Sequence, residues 1–146
     1  MKARTIIAAV AVAAVLGGAY AWKEYSRKPE GAAGMAEAHT VDAPQLLADF
    51  LADEPAATAK YVGSTAQAIK VKGVIRTIDE GDGTRMSVIL DTGDPMAGIV
   101  CEFEPGSLPA GWKVGDKVFV KGICQGYTGD GMIPGDVLLQ RCAAVE

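Results

Sequence analysis

The sequence predicts a mainly β protein, a small closed barrel that follows an apolar N-terminal helix, a tether and one amphipathic helix. Two observations point to this class. Short runs of alternating apolar and polar residues, separated by Gly- and Asp-rich turns, fill residues 66–144. An uncharged apolar stretch, residues 6–22, lies near the N-terminus. With 146 residues in total, the chain has room for one folded domain besides this stretch.

The apolar stretch at residues 6–22 has the properties of a membrane anchor. At roughly 1.5 Å of helical rise per residue it spans about 25 Å, close to the ~30 Å hydrocarbon core of a bilayer. Tyr20, Trp22 and Tyr25 lie where interfacial aromatic residues are enriched, which favours a retained anchor. We therefore expect residues 5–22 to contact the membrane.

A cleaved export signal is the alternative for the same stretch. The tripeptide at residues 19–21 has small residues on both sides of a tyrosine, and this pattern fits cleavage near Ala21 and secretion to the periplasm. Lys2 and Arg4 precede the stretch and favour an N-terminus inside the cell. We expect a single-pass inner-membrane protein with its domain on the periplasmic side.

Residues 27–41 contain proline, glycine and several alanines without apolar periodicity, a composition typical of a flexible linker. The chain is thus predicted to comprise an anchor at 1–26, this linker, and a folded domain at 42–146. His39 falls within the linker. As the only histidine of the sequence, without fixed partners nearby, it is interpreted as a bystander and not as a ligand.

One amphipathic helix is predicted at the start of the domain. Asp42 suits an N-cap position, and Pro55 ends the pattern. Between them, apolar residues recur at helical spacing: Leu46, Leu47, Phe50 and Leu51. We expect this apolar face to cover the barrel.

Five strands are predicted after this helix. The first covers about residues 66–78 and has Gly73 near its middle, which allows a long strand to bend and serve two sheets. The others cover, in order, about residues 85–90, 99–104, 117–125 and 136–144. No parallel crossover helix is indicated. A bent first strand in a set of five describes a Greek-key barrel, the OB fold.

The charge distribution argues against nucleic acid as a partner. Residues 41–146 carry nine Lys/Arg against fifteen Asp/Glu, whereas nucleic-acid-binding proteins usually present a net basic surface. The second and third predicted strands hold one aromatic residue, Phe103, although OB folds that bind single strands stack bases on aromatic residues there.

One set of basic side chains on the predicted strands is a candidate ligand face: Lys70, Lys72, Arg76 and Lys121. Lysine is also common at solvated strand positions, so an ordinary exposed surface is the alternative interpretation. The acidic turns at 79–83 and 91–94 lack the ligand spacing of a calcium loop. No catalytic motif or cofactor signature was found, so we expect neither an enzyme nor a cofactor.

Three cysteines fall within the later strands. In an exported protein an adjacent pair would oxidise, and the spacing of Cys124 and Cys142 places them near corresponding positions of two successive strands. They are the candidate disulfide, with Cys101 left as a buried thiol. Buried free cysteine is the alternative for all three residues.

The chain resembles a known family over about residues 43–145. The similarity lies in the segments AKYVG at 59–63, VKGVI at 71–75, VCEF at 100–103, VFVKGICQG at 118–126 and DVLLQRC at 136–142. By these segments the chain resembles the tRNA_anti-like family of exported bacterial OB-fold proteins. The resemblance implies the fold but no particular biochemistry, because a fold does not by itself carry a function.

We therefore expect a non-enzymatic, membrane-tethered OB-fold binding module of the bacterial cell envelope. Its expected partner is an envelope protein or a small ligand. The alternative is a domain that binds single-stranded or tRNA-like nucleic acid.

Overall fold

The computed structural model describes residues 2–26 and 31–146. Helix α1 spans Lys2–Tyr25, and within these described ranges it alone is long and apolar enough to cross a membrane. Residues 6–26 are exposed throughout. The predicted apolar N-terminal helix is confirmed, and its length and composition suit both a membrane anchor and an export signal.

Five strands close into a barrel. They are β2 (Ala68–Asp79), β3 (Met86–Asp91), β4 (Gly98–Phe103), β5 (Lys117–Tyr127) and β6 (Val137–Val145). Their order around the barrel is β2-β3-β4-β6-β5, and pairing of β2 with β5 closes it. Neighbouring strands are antiparallel except β4 and β6, which are parallel. This is the topology of the OB fold, so the predicted fold class is confirmed.

Strand β2 bends as predicted, and its two halves pair with different strands of the barrel. Residues 68–74 pair with β5, and residues 75–79 pair with β3. At Gly73, an added Cβ would lie 3.1 Å from the Cβ atoms of both Ala43 and Leu90. The missing side chain therefore lets β2 pass close to its neighbours at the bend.

A sixth strand, β1 (Glu37–Asp42), pairs in parallel with residues 68–72 of β2 at the edge of the sheet. This strand includes residues 37–41 of the predicted linker, so the prediction of a flexible linker is wrong for that part. Residues 27–30 of the predicted linker lie outside the described residues. Backbone hydrogen bonds to β2 hold β1, and the side-chain pattern used for the prediction does not reveal them.

Two helices connect β1 to the barrel. Helix α2 (Ala43–Ala52) confirms the predicted amphipathic helix, although Leu51, predicted on its apolar face, is 55% exposed. Asp42 occupies the N-cap position, but its side chain makes no capping hydrogen bond. A short helix α3 (Glu54–Ala57) and a π-helical turn (Thr58–Val62) follow.

The structure does not support the predicted disulfide between Cys124 and Cys142, because both residues and Cys101 are free and buried in it. The antiparallel register sets Cys124 opposite Leu139. Cys142 lies instead against Gly122, where an added Cβ would be 2.7 Å from the Cys142 Sγ atom. The register of β5 and β6 thus separates two cysteines that the sequence pattern had predicted to lie opposite each other.

Candidate functional site

Three of the predicted ligand residues share the outward surface of β2 and β5. Lys70 lies directly opposite Lys121 in the register, and Lys72 lies opposite Phe119. Two residues further along, Lys117 lies opposite Val74 on the same surface. We name the set Lys70, Lys72, Lys117, Phe119 and Lys121 the lysine face. The sequence interpretation missed Lys117 and Phe119, since only the register brings them beside the other three.

Among the described residues, no Asp or Glu side chain forms a salt bridge with a lysine of this face. In the part of the chain that the structure describes, the salt bridge within 4.0 Å joins Lys60 to Asp49, and none involves the lysine face. The Lys70 Nζ atom lies 4.9 Å from the centroid of the Phe119 ring and donates a 2.8 Å hydrogen bond to the Glu146 backbone oxygen. Lys70 and Lys121 are like charges placed opposite each other, an arrangement that costs energy unless an anion binds there.

Lys121 is 7% exposed, so its aliphatic stem is buried in the wall of the domain. No buried side-chain nitrogen or oxygen lacks a hydrogen-bond partner among the described residues. Its ammonium group, which has no such partner, therefore reaches solvent, as is usual for lysine stems that cover apolar surface.

An open pocket of about 400 Å³ adjoins the lysine face. Lys72 and Lys117 line it together with Asp42 and Asp91, and Val74 contributes to its apolar lining. Two lysines and two carboxylates in one pocket give it no excess of either charge.

The surface on which OB folds commonly bind ligands, the outward side of β3 and β4, is aliphatic here. Ile89 lies opposite Val100, and Val100 lies beside Leu138 of β6, so the three half-buried side chains form a continuous row. Ser87 and Glu102 form the next row. We name these five residues the barrel face.

No aromatic side chain points outward from β3 or β4, both of which lie wholly within the described residues. Phe103, the aromatic residue predicted on these strands, is 4% exposed. Its ring meets Trp112 edge-on at a centroid distance of 5.8 Å. Phe103 therefore belongs to the apolar core and offers no stacking surface to a base.

Arg76, the fourth predicted ligand residue, is separated from the lysines. Its Nη1 atom donates hydrogen bonds to the backbone oxygens of Asp94 and Ala97, at 2.9 and 3.1 Å. Its Nη2 atom covers Gly98, where an added Cβ would be 2.5 Å from it and 2.6 Å from Ile89 Cγ2. Arg76 thus fastens the β3–β4 turn and borders the barrel face.

A polar cluster that the sequence interpretation missed lines a groove of about 480 Å³ between β1 and α2. The Tyr61 hydroxyl donates a 2.5 Å hydrogen bond to Asp49 Oδ2. Gln45 Nε2 donates to Asp49 Oδ1 at 2.6 Å, and Lys60 Nζ lies 3.4 Å from Oδ2. The His39 ring meets the Tyr61 ring edge-on at 5.7 Å. His39 therefore lies in an ordered strand beside an aromatic partner.

The electrostatics of this groove favour an ionised Asp49 and a neutral Tyr61. Hydrogen bonds from Tyr61 and then Gln45 lower the pKa of Asp49 below its ordinary value. Desolvation raises the pKa of Tyr61, and contacts with Tyr61 and Asp49 raise the pKa of Lys60. With both its oxygens accepting hydrogen bonds, Asp49 serves to join α2 to the barrel. The i,i+4 spacing of Gln45 and Asp49 on one helix was the available sequence signal.

The chain is similar to several solved structures. A 20% identical match is a lipoprotein from Klebsiella pneumoniae described as a candidate nucleic acid-binding protein, covering 82% of this chain and 100% of that one with a TM-score of 0.47. The Stn1–Ten1 complex of S. pombe is similar at 16% identity and a TM-score of 0.38, over 56% of this chain and 60% of that one.

Asparaginyl-tRNA synthetase from Entamoeba histolytica, solved with asparaginyl-adenylate, is 14% identical with a TM-score of 0.37, over 57% of this chain and 21% of the synthetase. None of the curated proteins matches the sequence. The family model described as tRNA_anti-like matches residues 1–143, nearly the whole chain. The protein belongs to the tRNA_anti-like family of OB-fold proteins.

Proposed function

We propose that the protein is a non-enzymatic binding module of the bacterial cell envelope, anchored in the membrane by α1, and that it binds a partner protein through the barrel face. Its family is a family of binding domains. The exposed, apolar character of α1 supports the anchor. Lys2 and Arg4 at its start favour an N-terminus inside the cell, and therefore a domain on the periplasmic side.

The row formed by Ile89, Val100 and Leu138 carries this proposal. Half-buried aliphatic side chains give a partner protein apolar area to bury, and the neighbouring Glu102 supplies a polar border. Arg76, held by two backbone oxygens at the edge of the row, adds a guanidinium in a fixed position. Such a surface suits a peptide segment or a protein patch of mixed character.

Binding of single-stranded nucleic acid is the alternative, and this surface does not favour it. Oligonucleotide-binding OB folds combine stacked aromatic residues with a basic groove. The outward residues of β3 and β4, all within the described ranges, include no aromatic ring, and Glu102 would repel phosphate.

Site-specific photo-crosslinking in native membranes tests the proposal. A photoreactive amino acid at position 100, in the middle of the barrel face, is expected to give an adduct of higher mass that nuclease treatment leaves unchanged. Leu138→Glu in the same chain should abolish that adduct, because a charge in the row opposes apolar burial. The matched control places the photoreactive group at position 48, on the exposed side of α2.

Equal adducts at positions 48 and 100, or an adduct that survives Leu138→Glu, would contradict binding through the barrel face. An adduct at position 100 whose added mass is removed by nuclease would establish the nucleic-acid alternative.

A further inference from the structure

We infer that the lysine face docks onto anionic phospholipid headgroups of the membrane that holds α1. This inference rests on the membrane anchoring in the proposed function. It adds a second contact with the same membrane, and with it a fixed orientation of the barrel.

Charge distribution is the first argument. The lysine face holds four of the nine Lys/Arg residues in 41–146, while the rest of that region has five against fifteen Asp/Glu. An anionic surface would therefore attract this face and repel the rest of the domain. Each lysine close to an anionic bilayer favours the bound state by about fivefold. Asp42 and Asp91, beside Lys72 and Lys117, offset part of this charge, but the face remains more basic than the rest of the domain.

The place where the chain enters the domain is the second argument. A 3₁₀ turn at Ala32–Gly34 leads into β1, and Ala32 packs against Ala68 and Ile123. These two residues lie opposite each other on β2 and β5, and the next outward pair along the same strands is Lys70 and Lys121. The lysine face therefore begins next to the segment that arrives from α1.

The length of the connection keeps this face close to the bilayer. Helix α1 ends at Tyr25, and the domain is described again from Gly31. A fully extended chain advances at most ~3.6 Å per residue, so this connection reaches about 20 Å. The entry point of the domain, with the lysine face next to it, cannot lie far from the headgroups when α1 is embedded.

Docking through the lysine face would leave the barrel face free. In the order β2-β3-β4-β6-β5, strand β4 lies across the barrel from the seam between β2 and β5. The lysine face occupies that seam, and the barrel face is centred on β4. A domain seated on lipid by its lysines would present Ile89, Val100 and Leu138 away from the bilayer.

Lipid is favoured over nucleic acid as the occupant. The face has one aromatic ring, Phe119, and the Lys70 ammonium lies 4.9 Å from its centroid. A single ring that already contacts an ammonium group offers little surface on which bases can stack. A bilayer requires only clustered positive charge, and the chain itself brings this face to it.

Lysine labelling of the full chain in vesicles tests the inference. The protein is reconstituted into vesicles of phosphatidylcholine alone, or of phosphatidylcholine with phosphatidylglycerol, and treated with an impermeant acetylating reagent. Mass spectrometry then gives the rate at each lysine. Phosphatidylglycerol should slow labelling of Lys72 and Lys117 by about fivefold or more, and high salt should restore it. Lys60, in the groove between β1 and α2, is the internal control.

Matched variants isolate the effect of charge. Lys117→Glu should abolish the protection of Lys72 in phosphatidylglycerol vesicles, and Lys72→Glu should abolish that of Lys117. Both residues are exposed, so the barrel should fold, and an unchanged circular dichroism spectrum would show it. Arg85→Glu makes a charge change of the same size at an exposed residue just before β3, outside the lysine face. It should leave the protection of Lys72 and Lys117 intact.

Each remaining outcome would overturn the docking. Equal labelling in both vesicles, for a chain that resists alkaline extraction, would overturn docking and leave the anchor standing. A chain that washes off both vesicles would overturn docking and anchor together. Protection of Lys72 by an added oligonucleotide, without protection by phosphatidylglycerol, would assign the face to nucleic acid instead.

Discussion

The Tyr61 hydroxyl donates a 2.5 Å hydrogen bond to Asp49 Oδ2, and this contact joins helix α2 to the turn that enters the barrel. Tyr61 is 1% exposed, and its ring lies 6.0 Å from that of Phe50. A buried aromatic ring and a partly exposed carboxylate therefore hold one end of the helix, through apolar contact on one side and a hydrogen bond on the other.

Tyr61→Phe should destabilise the protein by about 1–2 kcal/mol, because the ring stays buried while a hydrogen bond to a charged acceptor is lost. Urea unfolding followed by circular dichroism measures the change. Asp49→Asn is the matched control: it keeps an acceptor for the hydroxyl, so its loss should be smaller. An unchanged unfolding midpoint in Tyr61→Phe would show that the contact contributes nothing.

Acid should weaken the protein partly through Asp49. Hydrogen bonds from Tyr61 and Gln45 place its folded pKa below the ordinary 3.8, so its contribution is complete above pH ~4 and disappears as the pH falls through the folded pKa. The melting temperature of Asp49→Asn should therefore fall less than that of the wild type below pH ~4. Asp82 and Asp130, whose pKa values are also lowered by hydrogen bonds, should keep the variant partly acid-sensitive. An equal fall in melting temperature for both proteins below pH ~4 would contradict this prediction.

Gly122→Ala should destabilise the barrel by about 1–3 kcal/mol through overpacking. The added Cβ would meet Cys142 Sγ at 2.7 Å and Leu139 Cβ at 3.0 Å. Cys142→Ala in the same chain should recover part of the loss, because it removes the closest atom. Gly111→Ala is the control, since nothing lies within 4 Å of its Cβ position. Urea midpoints compare the four proteins, and equal midpoints for both glycine variants would contradict the packing argument.

The cysteines should titrate as three free, slowly reacting thiols. Burial raises the pKa of Cys124 to about 11 and, with the Cys101 side chain as a further cause, raises that of Cys142 well above its ordinary value. At pH ~8 about one Cys124 in a thousand would then be a thiolate, the reactive form. A disulfide-exchange reagent should find three thiols in denaturant and react slowly with the folded protein. Fewer than three in denaturant would reveal a disulfide that the structure lacks.

Arg76→Ala should loosen the β3–β4 turn and destabilise the protein by about 1–3 kcal/mol, because the guanidinium satisfies two partly buried backbone oxygens. Hydrogen exchange should rise within residues 92–98 and stay unchanged in β5. Arg85→Ala, which removes an exposed guanidinium from the preceding loop, is the control. Equal hydrogen exchange within residues 92–98 in the two variants would show that Arg76 does not stabilise the β3–β4 turn.

The periodicity of the strands was sufficient to predict the barrel. Alternation determines which side chains point inward, and Gly73 marks the bend in β2. The structure confirms both features. The same holds for the apolar face of α2 around Leu46 and Phe50. These features are local, because each depends on residues a few positions apart.

The candidate sites depend on register and on contacts between distant segments, which local patterns do not contain. Pairing of β2 with β5 set Lys117 and Phe119 beside Lys72, and left Arg76 over the β3–β4 turn. An offset between β5 and β6 separated Cys124 from Cys142. The apolar helix and the acidic OB barrel could be predicted from sequence, because composition, burial and alternation are local properties. The grouping of the charged side chains and the place of His39 in a strand could not, because they depend on how strands pair across the chain.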